Sequence, residues 1–149
     1  MSADATAAAD RAVDAYRLDD QVGFLLRLAN QRHTTLFAER MIGELTPTQF
    51  AALARLHEAG ALSQNELGRM TAMDAATIKG VVDRLREREL VASAPDASDR
   101  RRLSLTLTER GRRLARAAIP VAARITAETL QPLPPADRAR FVALLARLG

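Results

Sequence analysis

The chain of 149 residues contains no cysteine. Disulfides, thiolate metal sites and cysteine redox switches are thereby excluded. With only two histidines besides, the ligand set of a structural zinc is missing as well. Tryptophan is absent, and aromatic residues make up 3% of a chain that is 48% hydrophobic, the composition of Ala/Leu-rich helices. Nowhere do about 18 uncharged apolar residues follow one another, so no membrane partner and no bilayer-spanning helix are expected. Met1 to Asp14 mixes Ala, Asp and Arg without an apolar signal core, which argues against secretion and for the cytoplasm. Residues 1–18 read as a mobile tail or a frayed extension of the first helix. A Ser/His/Asp ordering, a phosphate-cradling glycine loop and metal-ligand spacing are all missing. Neither an enzyme nor a cofactor is expected.

Lysine is almost absent too, Lys79 being the only one, yet the formal net charge is +4. Arginine carries the positive charge, and ten arginines lie between Arg84 and Arg116. Their forks pair bidentately with phosphate and guanine edges, which a lysine point charge cannot imitate. The surrounding sequence gives this cluster a frame. Ser63-Gln64-Asn65-Glu66 is a capping box that opens a short helix. Asp74 is an N-cap for a second helix, in which Ile78, Val81, Val82 and Leu85 recur at i, i+3, i+4 and i+7 and form a core face. The opposite face carries Ala76, Thr77, Lys79, Gly80, Asp83 and Arg84, suited to close approach to a DNA groove. Leu90-Val91-Ala92 reads as a strand, and Leu103, Leu105 and Leu107 alternate with polar residues as a half-buried one. Between them lies a polar loop tipped by Asp99, Arg100 and Arg101, a ribbon able to carry arginines into a minor groove. Helix, turn, helix and wing in this order are a winged helix-turn-helix. The fold expected is therefore mainly α with a small β-wing: a winged domain over 46–108, flanked by a helical dimerisation lobe of 19–45 and 109–149.

In the flanks, Asp19 to Met41 reads as one long helix with Val22, Leu26, Ala29, His33 and Leu36 in a stripe. Thr46-Pro47-Thr48-Gln49 is a second capping box, with proline at the first helical position, and the helix it opens ends near Gly60. A helix from Thr108 to about Leu130 is expected to kink at Pro120. Pro132, Pro134 and Pro135 then set off a last amphipathic helix bearing Phe141, Leu144, Leu145 and Leu148. The end helices are too apolar to stand alone. They cover either the chain's own core or that of a second copy.

The chain resembles the MarR-type winged-helix transcriptional regulators over nearly its whole length. The resemblance rests on Leu45 to Phe50, Ser63 to Leu67, Val81 to Leu85, Leu90-Val91, Asp99-Arg100-Arg101 and Leu107 to Gly111 in that order and spacing. It implies a homodimer that represses transcription on a double-stranded, pseudo-palindromic operator and is released by a small aromatic carboxylate effector. In the winged frame, Ser63, Ala76, Thr77, Lys79, Gly80 and Arg84 are the expected DNA-facing residues of the two helices, and Asp99, Arg100 and Arg101 those of the wing. Asp99 is expected to aim a neighbouring arginine through a salt bridge. Gly80 is there either for close backbone approach to DNA or by drift. Met73 to Val82 looks like the branch controlling catabolism of aromatic acids such as hydroxycinnamates, benzoates and nicotinates. That resemblance makes Phe24, His33, Phe37 and Phe50 candidates for an effector pocket between the first long helix and the winged domain; otherwise His33 is a satisfied core histidine. Many relatives have a glycine where this chain has Glu89, and arginines at the positions of Ser93 and Ala94. The competing function is a winged-helix protein-interaction module that binds no DNA.

Overall fold

The computed structural model describes residues 3–149. Seven helices are present among them: α1 (Ala3–Ala15), α2 (Val22–Arg40), α3 (Pro47–Ala59), α4 (Gln64–Met70), α5 (Ala75–Glu87), α6 (Glu109–Leu130) and α7 (Pro135–Ala146). A 3-10 turn at Leu18–Asp20 precedes α2. Three strands, β1 (Ala61–Leu62), β2 (Val91–Pro95) and β3 (Leu103–Leu107), form an antiparallel sheet in the order β1-β3-β2. The fold is mainly α with a small β-wing, as the sequence leads one to expect.

The helix starts follow the capping chemistry. The Thr46 hydroxyl accepts the Gln49 N–H at 3.2 Å, and the Gln49 side chain returns to the Thr46 N–H at 3.3 Å. Ser63 and Glu66 repeat the exchange at α4, and Asp74 accepts the Thr77 N–H at 2.7 Å to start α5. Each cap satisfies amides that the first helical turn leaves without partners. α3 ends at Gly60, whose φ of +86° only glycine adopts without strain.

One core holds the winged domain together: Leu53 and Leu56 of α3, Leu67 of α4, Ile78, Val82 and Leu85 of α5, Leu90 just before β2, and Leu105 and Leu107 of β3, closed by Ala115 and Ala118 of α6. A smaller cluster of Phe37, Val121 and Ile125 joins α2 to α6. The start of α6 is fastened to the end of the winged core. The Thr108 hydroxyl donates to the Glu89 carbonyl at 2.7 Å and accepts the Gly111 N–H at 3.0 Å. A Cβ at Gly111 would run into the Leu90 carbonyl, so this contact requires glycine.

Of the stretch read as a mobile tail or a frayed extension of the first helix, Ala3–Ala15 is helical and exposed along the residues whose side chains are described, while Met1 and Ser2 lie outside the described residues. α6 is assigned as one helix with Pro120 inside it at an exposed position. Two features depart from the sequence reading. Leu103 is 59% exposed and Ser104 beside it is buried, the reverse of the expected alternation, because here the ribbon has left the core and Ser104 turns to Asp96. Strand β1, two residues long, had no local signal and exists through pairing of Ala61 with Thr106 and Leu62 with Leu105.

Candidate nucleic-acid interface and effector cavity

Burial sorts α5 into two faces. Ile78, Val81, Val82 and Leu85 are buried, whereas Ala76, Thr77, Lys79, Gly80 and Arg84 are exposed. Thr77, Ala76, Gly80 and Arg84 line a shallow groove of about 290 Å³ whose other wall is Thr46, Thr48 and Gln49 at the start of α3. Small residues, hydroxyls and one guanidinium thus surround a concave strip on the outer side of the helix. Lys79 is paired with Asp83 at 2.7 Å, which lowers the Asp83 carboxyl through that hydrogen bond and holds the only lysine of the chain against its helix. Ser63 is placed differently. Its hydroxyl donates to Glu66 Oε2 at 2.9 Å and accepts the Glu66 N–H at 3.2 Å, so it serves the start of α4 rather than standing free for a phosphate.

The wing is shaped by a carboxylate that the sequence reading passed over. Asp96 Oδ1 accepts the Ser98 hydroxyl at 2.5 Å, the Ser98 N–H at 2.8 Å and the Asp99 N–H at 3.2 Å. Its Oδ2 accepts the Ser104 hydroxyl at 2.8 Å. The Ser98 and Ser104 hydroxyls, with the backbone amides, hold the Asp96 carboxyl far below the usual carboxylate range. Asp96 N–H to the Arg102 carbonyl and Arg102 N–H to the Asp99 carbonyl close the loop at 2.8 and 3.0 Å. Arg100 and Arg101 project from it, exposed. Asp99 accepts the Arg101 backbone N–H at 3.0 Å; it shapes the turn and does not aim a guanidinium by a salt bridge as expected. At the wing's base, Arg86 donates to the Ser93 hydroxyl and lies 3.7 Å from Asp83, tying α5 to β2.

The four aromatic-pocket candidates do not surround one cavity. His33 lines a cavity of about 430 Å³ between α2, α6 and α7, with Leu26, Ala29, Thr126, Phe141 and Leu145 among its neighbours. This lies within the helical lobe and not against the winged domain. Phe37 is buried and packs between His33, tilted at 6.3 Å, and Phe50, edge-to-face at 6.1 Å. Phe50 instead borders a cleft between α3, the α4–α5 turn and α6, and Phe24 lines neither space. His33 Nδ1 is 3.0 Å from the Thr129 hydroxyl, which leaves Nε2 for the cavity. Alongside, Arg32 donates to the carbonyls of Glu128 at 2.7 Å and Thr129 at 3.2 Å, and Arg40 pairs with Glu128 at 3.3 Å. These contacts were beyond sequence reasoning because they join residues nearly a hundred positions apart.

A helix with its small and cationic face outward, set beside a ribbon with arginines at its tip, defines a winged helix-turn-helix regulator. The MarR family model matches residues 45–103. The chain is 42% identical over 134 residues to the HTH-type transcriptional repressor NicR of Pseudomonas putida, covering 89% of this chain and 85% of that one. The crystal structure of a probable transcriptional regulator from Pseudomonas aeruginosa superposes with a TM-score of 0.86 at 51% identity, covering 89% of this chain and 100% of that one. That of Bordetella bronchiseptica BpsR, whose DNA binding is regulated by 6-hydroxynicotinic acid, gives 0.84 at 41% identity over 89% and 96% of the two chains. The protein belongs to the MarR family. It is a transcriptional regulator and not an enzyme.

Proposed function

We propose that the protein is a cytoplasmic repressor that binds a pseudo-palindromic operator as a homodimer and lets go of it when a small aromatic carboxylate binds. The observation that carries this reading is the outward face of α5, with Ala76, Thr77, Gly80 and Arg84 lining one groove and Arg100 and Arg101 exposed on the adjoining wing. α5 lies in the major groove and Arg84 reads a base edge or phosphate there. Arg100 and Arg101 enter the neighbouring minor groove, which is narrowest and most negative over A·T-rich steps. Lys79, Ala76, Thr77 and Gly80 pack against the same duplex, and Asp99 keeps the wing tip in shape. A single short helix reads few base pairs. Two copies with α5 about 34–36 Å apart read two half-sites one turn apart.

The second copy is seated on the apolar face formed by α2 and α7. Val22, Leu25, Leu26, Phe141, Leu144, Leu145 and Leu148 are all exposed in the single chain, and α7 has no buried residue at all. Such a contiguous face marks an interface. The winged domain of 46–108 then hangs from a helical lobe of 19–45 and 109–149. Similarity to BpsR, whose DNA binding 6-hydroxynicotinic acid regulates, supports a hydroxylated pyridine carboxylate as the effector, and the cavity beside His33 suits it in size. The apolar walls take the ring and His33 Nε2 hydrogen-bonds the carboxylate or ring hydroxyl. The test is a fluorescence titration of a duplex from the upstream region of the protein's own gene, with and without 6-hydroxynicotinic acid. His33→Ala should bind the duplex like wild type and lose most of the response to the acid. A full response in the variant would return His33 to a core role, and absence of duplex binding by the wild type would favour the protein-interaction alternative.

A further inference from the structure

Arg88 stands at the C-terminal end of α5 and belongs to the arginine cluster, yet it is half-buried and turned inward. Its Nη2 donates to the Gly43 carbonyl at 2.5 Å, and its Nη1 lies 3.4 Å from Gln49 Oε1. Gly43 lies in the joint between α2 and α3, and Gln49 in the first turn of α3 that the joint leads into. That joint is tightly wound: Gly43 and Glu44 have φ of +66° and +52°, two left-handed residues in succession. On its other side it is pressed by α6, since a Cβ at Gly43 would stand 2.6 Å from Leu114 Cδ1. Gln49 is itself buried and its Oε1 also accepts the Thr46 N–H, so one oxygen serves both the start of α3 and Arg88. At its own end, Arg88 is fixed by its N–H to the Arg84 carbonyl at 3.1 Å and by the Leu90 N–H to the Leu85 carbonyl at 2.9 Å.

We propose that Arg88 is a positioning residue that locks the last turn of α5 to the α2–α3 joint and so passes displacements of α2 to the DNA-reading helix. The inference rests on the reading above, in which an effector acts beside His33 on α2. Hydrogen bonds from a guanidinium are charge-assisted, and its planar fork fixes the two elements it joins in one geometry. α2 is tied to the end of α6 through Arg32, His33 and Arg40. A ligand wedged between those helices moves α2 and its C-terminal joint, and Arg88 is the direct polar link from that joint to α5. Coupling of this kind needs a physical element that both sites bias, and here it is the joint.

Two variants test it. Arg88→Met keeps the apolar stem and removes the head; Arg88→Lys keeps the charge on a single nitrogen but lacks the fork whose two nitrogens meet Gly43 and Gln49. In the free full-length protein, amide exchange at Leu45 and Thr46 should rise about tenfold or more in Arg88→Met, in step with Glu89 and Leu90, while the capped start of α4 keeps its wild-type rate. In the duplex titration, the factor by which 6-hydroxynicotinic acid weakens binding should fall about fivefold or more, with affinity in its absence changed less than about threefold. Wild-type exchange at Leu45 and Thr46, or an unaltered response to the acid, overturns the proposal. If Arg88→Met does not fold, Arg88→Lys decides by the same measurements at smaller amplitude. A wild-type protein that binds no duplex, or ignores the acid, contradicts the functional reading instead, and the exchange comparison in the free protein still decides the role of Arg88.

Discussion

Gly80 sits in the middle of α5 with nothing within 4 Å of where a Cβ would stand, so no neighbour in the chain calls for glycine there. In an exposed helix interior it costs about 1 kcal/mol relative to alanine. Gly80→Ala should therefore raise stability to urea by about that amount and at the same time weaken operator binding, because the methyl enters the groove between α3 and α5. Stabilised protein with unchanged affinity would show that the glycine is there by drift. Glu89 presents the converse. It holds a left-handed φ of +56°, and its 3.8 Å pair with Arg110 is solvent-exposed and worth little. Glu89→Gly should stabilise by about 1 kcal/mol, read as a shifted urea midpoint; a destabilised variant would mean that the side chain contributes more than its backbone costs.

At the level of elements, the wing depends on a single carboxylate. The Asp96 carboxyl is held below its ordinary range in the folded protein. Its contribution to wing order is thus fully present above the unfolded carboxylate value, about 3.9, and is lost only as pH falls through the lower folded value. The amide resonances of Ser98 and Asp99 should stay unchanged from neutral pH down to about pH 4. A titration centred near the ordinary aspartate value would contradict the bonding of the loop. Much of the element plan was legible beforehand. The boxes Thr46–Gln49 and Ser63–Glu66, the Asp74 cap and the spacing of Ile78, Val81, Val82 and Leu85 are local signals, and each became the element it announces. What was not legible depends on distant partners. β1 has two residues and exists only against β3. Asp96 acquires meaning from Ser104, eight residues on, and Arg88 from Gly43, 45 residues back. α1 has many alanines and no apolar stripe, so its helical run looked like a tail. Of the candidate site, the faces of α5 and the exposure of the wing arginines could be anticipated. The grouping of aromatic residues could not, because Phe37 and Phe50 pack on each other and His33 finds its own cavity.

On the scale of the whole molecule, the exposed face of α2 and α7 is the feature a single chain leaves unexplained. Leu148 is 71% exposed and Val22 65%, a cost that a second copy removes by covering them. Leu144→Asp should shift the protein to monomer in sedimentation and cost most of its operator affinity, since two half-sites are no longer bound together. A variant that stays dimeric would place the interface elsewhere. The central claim, that the outward face of α5 and the arginine wing hold a DNA duplex, is tested most directly by the salt dependence of binding to the upstream region of its own gene. The account predicts two protomers per site and a logarithmic plot of affinity against salt with slope of about −0.9 for each phosphate neutralised, reduced when Arg100 and Arg101 are both replaced by alanine. Binding indifferent to salt, or a slope unaltered in that double variant, would contradict it.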